Sequence, residues 1–179
     1  MWTSPFIPWK QLNFDMAVFP ILQYPHPLLK LRSERVQVID DRVARIIKNL
    51  LDTLVASPGV ALAAPQIGEP CRIIVCDVSR KVKKRHHGRI ILINPLLHRR
   101  EGKIIFREGC LSVPDYTGNV SRAEKVWVKG LSPQGQPVSL LSEGFEALAL
   151  QHEMDHLDGM LFLDRIASIS TDLFRRKVY

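Results

Sequence analysis

Gly144-Phe145-Glu146-Ala147-Leu148-Ala149-Leu150-Gln151-His152-Glu153-Met154-Asp155-His156-Leu157 is a run of helix formers, and it predicts an α-helix. Ser142 stands where an N-cap belongs, and Asp158-Gly159 supplies the stop. Four residues advance a helix by about one turn, so His152 and His156 leave the same face and can share one metal ion, with Glu153 beside it. Phe145, Leu148 and Ala149 continue that stripe toward the N-terminus. The competing reading makes the histidines ordinary core residues. Without a metal, however, two imidazoles and a carboxylate on a buried face are costly polar groups.

Working upstream, Asp40 or Asp41 can cap a second helix, in which Val43, Ile46, Ile47, Leu50, Leu51, Leu54 and Val55 form an apolar face. Ser57-Pro58-Gly59 ends it. Between the two helices, the β-branched runs 72–78, 90–94, 103–106, 124–131 and 138–141 read as strands, punctuated by Glu101-Gly102 and by the Pro- and Gly-containing stretch 132–137. The expected fold is therefore α+β, with mostly antiparallel sheets around a central helix that carries the H-E-x-x-H pattern. The chain shows no repeats or long linkers, and its 179 residues suit one domain with a substantial core.

Composition narrows the classes. The longest aliphatic runs, such as Ile90-Ile91-Leu92-Ile93, are too short to span a bilayer, and no continuous apolar signal segment follows Met1, so a soluble protein without membrane partners is expected. Three cysteines without regular spacing argue against a disulfide framework and for a reducing compartment. Cys71 and Cys76 read as ordinary strand residues, and His26, His86, His87 and His98 as surface or loop residues. The net charge of +7 concentrates in residues 80–89 and 175–177, runs that usually mark a solvated loop or tail. No nucleic-acid-binding motif accompanies them, so DNA is not expected as a partner and any ribosome contact would be electrostatic.

Catalytic sites of this kind usually take three protein ligands. The extra histidine of the longer protease motif is missing downstream, where only Asp158 and Asp164 are nearby carboxylates. Upstream, Cys110 lies in the turn-prone stretch Glu108-Gly109-Cys110-Leu111-Ser112 after a strand, where its thiolate can face a cleft and not be buried. Spacing alone leaves the third ligand open.

Glu108-Gly109-Cys110-Leu111-Ser112, Gln151-His152-Glu153-Met154-Asp155-His156-Leu157 and Gly59-Val60-Ala61-Leu62-Ala63-Ala64-Pro65-Gln66 together resemble the three signature motifs of the peptide deformylases. They occur in the family's order, and the resemblance runs from about Met16 to the C-terminal region. It implies that Cys110, His152 and His156 bind the metal, that Glu153 is the general acid/base, and that Gln66 and the Leu111 backbone N–H are oxyanion donors. Ferrous iron is the implied ion, although thiolate and imidazole suit Zn2+, Ni2+ or Co2+ as well. The implied activity is release of formate from the formyl-methionine of nascent polypeptides. Its implied setting is a bacterial cytoplasm, or an organelle if the source is eukaryotic.

The chemistry fits these roles: the ion acidifies water, Glu153 takes the proton and later returns it to the departing amine, and the donors meet charge on the carbonyl oxygen. Gly59, Val60, Ala61, Phe145 and Leu148 are expected to bind an extended peptide and its methionine side chain. Arg122 can pair with Glu108 or Asp155 and steady the site. A zincin-type endopeptidase with another third ligand, and a noncatalytic ribosome-binding protein, are the competing readings.

Two departures stand out. Ala61 occupies the second glycine position of its motif, and its methyl restricts backbone conformation and close approach, so altered affinity is expected. Residues 1–15, with Trp2, Phe6 and Trp9, read as an extension whose place in the native protein is open, ahead of a single catalytic domain over 16–179. Oligomeric state is not readable from the sequence.

Overall fold

Asp40 accepts the Val43 N–H through its carboxylate at 3.0 Å and starts helix α1, Asp41–Ala56, as its cap. The computed structural model describes residues 17–83 and 85–176, so the expected extension lies outside the described residues. Short connections link α1 to strands β1 (Ala61–Ala63), β2 (Ile73–Asp77), β3 (Arg89–Glu101), β4 (Ile104–Cys110), β5 (Val113–Arg122), β6 (Lys125–Leu131) and β7 (Pro137–Glu143). Helix α2, Gly144–Leu157, follows β7 directly, and the single turn α3 (Ile169–Asp172) leads into β8 (Leu173–Arg175).

All strand pairings are antiparallel, in a five-stranded sheet ordered β1-β2-β3-β6-β7 and a three-stranded sheet ordered β4-β5-β8. This is the α+β architecture expected. The period of two along each strand decides which helix its side chains meet. Ala61, Ala63, Ile74, Cys76, Ile90, Leu92, Val126 and Val128 share a core with Ala147, Leu150 and Met154 of α2. Leu62, Ile73, Val75 and Ile93 meet Val43, Ile46, Ile47, Leu50 and Leu54 of α1. The central strands are thus covered on both faces. A third cluster, Leu29, Cys110, Val113, Val120, Leu161 and Phe162, underlies the smaller sheet.

Several local expectations change. Val55 lies at the edge of the α1 stripe and is exposed. Strand β3 runs on past Asn94, because a register shift between Ile93 and Leu96 absorbs Asn94, at φ 52°, and Pro95, which has no N–H to give the ladder. Asn94 is buried there and ties down Val36 through its side-chain amide, accepting at 2.9 Å and donating at 2.8 Å. Ser142 is not the α2 cap: Glu143 holds that position without a side-chain bond, and the Ser142 hydroxyl donates to Glu146 at 2.6 Å. β1, β5 and β8 are strands that the sequence pattern did not reveal.

Candidate metal centre

The i, i+4 spacing on α2 brings His152 and His156 side by side, with ring centroids 5.1 Å apart. Cys110 arrives from the end of β4, where the register with β5 jumps between Gly109, opposite Thr117, and Cys110, opposite Val113. That irregularity re-aims the strand end toward α2. One donor atom from each of Cys110, His152 and His156 falls within 4.8 Å of the others, and Cys110 Sγ lies 3.2 Å from His156 Nε2. The cysteine lines the cleft as expected but is buried, at 4% exposure, because it also packs into the cluster with Leu29, Val113, Leu161 and Phe162.

The residues fit a metal. His152 turns Nδ1 to the Glu108 carboxylate at 2.7 Å, which leaves Nε2 for an ion and fixes the ring. Two buried polar atoms here, Glu153 Oε2 and His156 Nδ1, have no hydrogen-bond partner among the described residues, which packed cores seldom tolerate without a ligand. Burial pushes the Cys110 thiol up, yet the adjacent imidazoles His156 and His152 outweigh it and hold the thiol well below its ordinary range, favouring the ligating thiolate. By contrast, burial raises Cys71 to about 11 and Cys76 well above its usual value, so both stay thiols.

Carboxylates around the centre are sorted by their partners. Burial would raise Glu108, but Arg122 at 2.6 and 2.9 Å and His152 hold it down at about 2. Arg122 also donates to Asp155 at 2.5 Å, so it joins both residues that it was expected to choose between. Arg165 adds two bonds to the same Asp155. Glu153 lacks such a cation, and burial pushes its carboxyl up to about 7 against the pull of the His152 and His156 imidazoles.

Gln66 comes from a 3-10 turn, Ala64–Ile67, directly after β1. Its side-chain oxygen accepts the Ala63 N–H at 2.8 Å, and its amide NH2 donates to Ser112 Oγ at 3.1 Å and faces Cys110 Sγ at 3.8 Å. The amide is thereby aimed at the metal group. Ser112, whose N–H also approaches Cys110 Sγ at 3.4 Å, was not anticipated as a partner. Nor was Arg165, for which no sequence signal exists, whereas Glu108 and Asp155 stand inside the motifs themselves.

A cleft of about 470 Å³ opens above the centre, between the β1 side (Gly59, Val60, Ala61, Gln66) and β4 with its turn (Phe106 to Leu111). Phe145, Leu148, His152 and Glu153 of α2 form its floor, while His156 is fully buried. Every expected substrate-binding position therefore lines one cavity. At Gly59 a Cβ would lie 2.8 Å from Leu111 Cδ1, so a side chain there would displace the Leu111 tip at the cleft edge. Ala61 belongs both to the cleft wall and to the core shared with α2.

A buried Cys-His-His group with an unpaired glutamate on a cleft floor defines a metal-dependent hydrolase. The sequence matches the Polypeptide deformylase family over residues 18–172. It is 46% identical to a peptide deformylase of Desulforudis audaxviator over 163 residues, spanning 90% of this chain and 99% of that one. A relative from Syntrophobacter fumaroxidans, also a peptide deformylase, is 41% identical over 162 residues, or 90% and 94% of the two chains. The crystal structure of a Legionella pneumophila peptide deformylase superposes with a TM-score of 0.79 at 38% identity, covering 86% of this chain and 88% of the other. A class I type b peptide deformylase from Acinetobacter baumannii, solved with Met-Ala-Ser bound, gives 0.79 at 33% identity, covering 85% and 100%. The chain belongs to the polypeptide deformylase family. Enzymes of this family remove the N-formyl group from nascent polypeptides, and this chain is an enzyme of that kind.

Proposed function

We propose that the chain releases formate from N-formyl-methionyl peptides at the Cys110-His152-His156 centre, with ferrous iron as its ion. The observation that carries this reading is the convergence of those three donors within 4.8 Å under a peptide-sized cleft. When bound, the ion supplies a Lewis acid that polarises the formyl carbonyl and acidifies water. Glu153, beside the reacting atoms with one oxygen unpartnered, takes a proton from the attacking water and returns it to the departing amine. The Gln66 amide and the Leu111 N–H stabilise charge on the formyl oxygen.

The cleft lies between two strand edges: β1 ends the larger sheet and β4 ends the smaller. An extended peptide adds its backbone there without reading sequence, and the Acinetobacter baumannii relative holds Met-Ala-Ser, a peptide of the required form. Phe145, Leu148 and Val60 take the methionine side chain, while Gly59 and Ala61 border its backbone. The basic surface is proposed to contact ribosomal RNA electrostatically, in the bacterial cytoplasm. Among the described residues no helix is long and apolar enough to cross a membrane.

The test is formate release from a formyl-Met peptide by anaerobically purified, iron-supplied protein, beside Glu153→Ala and Cys110→Ser. Wild-type activity lost in both variants supports the assignment. An inactive wild type, or a fully active Cys110→Ser protein, overturns it. Metal analysis of the same preparation checks iron.

A further inference from the structure

The outer part of the cleft carries charge of one sign. Arg107, Arg176 and Lys81 line it, and none has a carboxylate partner among the described residues. Among the described residues, the only carboxylates on the cleft wall are Glu108, which is bound by Arg122 and His152, and Glu153 beside the Cys-His-His group. These three cations are left to the cleft.

One of them is held in place by its side chain, and a second by its backbone. Arg107 Nε donates to Thr117 Oγ1 at 3.0 Å, and its guanidinium lies 3.9 Å above the Phe174 ring, so β5 and β8 both position it without neutralising it. The Arg176 N–H donates to the Asp115 carbonyl at 2.7 Å as the chain leaves β8. Its guanidinium packs over Gly109, where a Cβ would sit 2.5 Å from Nη2. The open face of this glycine in β4 leaves room for the arginine tip along the cleft wall, one residue before Cys110. A fixed guanidinium loses less freedom on binding an anion than a mobile one. Cations lining a cleft of one sign also raise the local concentration of anionic partners.

We infer that Arg107 and Arg176, with Lys81 across the cleft, form a carboxylate-selecting outer subsite. It favours formyl-Met chains with Asp or Glu at the second or third residue, or short peptides whose free C-terminal carboxylate falls there. The inference rests on the deformylase reading, since it concerns the part of the peptide that follows the methionine.

The experiment compares kcat/KM for formate release from formyl-Met tripeptides with Asp, Ala or Lys at positions two and three, each as the free acid and the C-terminal amide. At low salt the acidic amides are expected to exceed the basic ones by about fivefold, the scale of a few partly exposed charge pairs. The difference shrinks toward about 1 M salt, where the screening length is roughly 3 Å. In Arg107→Gln/Arg176→Gln the acid-to-base ratio falls toward one, and in Arg107→Glu/Arg176→Glu it inverts. Because each ratio is taken within one protein, a loss of folded fraction cancels. If the free acids gain and the acidic amides do not, the terminal carboxylate is the ligand. Equal rates for acidic and basic peptides in both forms overturn the subsite alone. No formate from the alanine peptide overturns the deformylase reading, and the subsite with it.

Discussion

Helix α1 buries one stripe against the five-stranded sheet and gives its other side to solvent, whereas α2, on the opposite face of that sheet, is buried almost all round. In α1 the charged residues Arg42 and Arg45 are exposed, and the ion pair that Arg42 makes with Glu69, at 2.9 Å, lies at the surface. In α2, Glu146, Gln151, Glu153, Asp155 and His156 lie inside, and each polar group must find a partner or a ligand. His87 and Ser142 meet Glu146, the Ala123 backbone meets Gln151, and Arg122 and Arg165 meet Asp155. Glu153 alone among these carboxylates keeps a buried oxygen, Oε2, with no hydrogen-bond partner within the described residues. The difference teaches that water makes one helix tolerant, while pairing makes the other specific, and the one carboxylate left with an unpartnered oxygen is the residue proposed as general acid/base.

The sharpest way to break this contrast is Glu153→Gln. Formate release is expected to fall by about 10²–10⁴-fold, the usual range for a general acid/base. Thermal stability should hold or rise, because a buried carboxylate without a hydrogen-bond partner on Oε2 is replaced by a neutral isostere. A fall in Tm as large as that of a core truncation would show that Glu153 is structural.

Arg122→Ala tests the paired side of α2. It leaves Glu108 and Asp155 buried without this cation, so a loss of about 3–5 kcal/mol is expected in urea unfolding. Arg45→Ala on α1 removes the same charge from an exposed site and should change stability by no more than about 0.5 kcal/mol. Leu50→Ala restores parity between the helices: Leu50 is fully buried, and its truncation should cost about 2–5 kcal/mol. Activity per folded molecule should survive, since α1 contributes nothing to the cleft.

This contrast also explains what could be read ahead of the structure. α1 was legible from periodicity because its two faces have different solvents, and only Val55 at the stripe's edge was misplaced. α2, buried on nearly every side, lacks such a contrast, and it reads as a helix from its helix formers, the stripe of Phe145, Leu148 and Ala149, and the His152-Glu153-His156 spacing. β2, β3, β6 and β7 showed as β-branched runs, but β5, with Pro114, Asp115, Gly118 and Asn119, has a turn-like composition and is a strand only through pairing with β4 and β8. Burial of Cys110 and the role of Arg165 depend on contacts between elements far apart in the chain, which no local pattern records.

The smallest effects lie at two carboxylate caps, one for each helix region. Asp40→Ala removes the α1 cap and should cost about 1 kcal/mol. Asp164 does similar work in the turn after α2, accepting the Leu161 N–H at 2.7 Å and the Lys30 ammonium at 2.6 Å. Partial burial pushes its carboxyl up, but those two donors hold it below the ordinary range. A depressed folded-state value means that the ionised group stabilises the fold above the unfolded value, about 3.9, and that this contribution is lost as pH falls further. Asp164 is more than a third exposed, so solvent screens the ion pair and Asp164→Asn should cost only a few tenths of a kcal/mol at pH 7. Unfolding curves of wild type and variant should then converge below about pH 4. If the gap is constant with pH, the Leu161 N–H bond and not the charge is what this cap supplies.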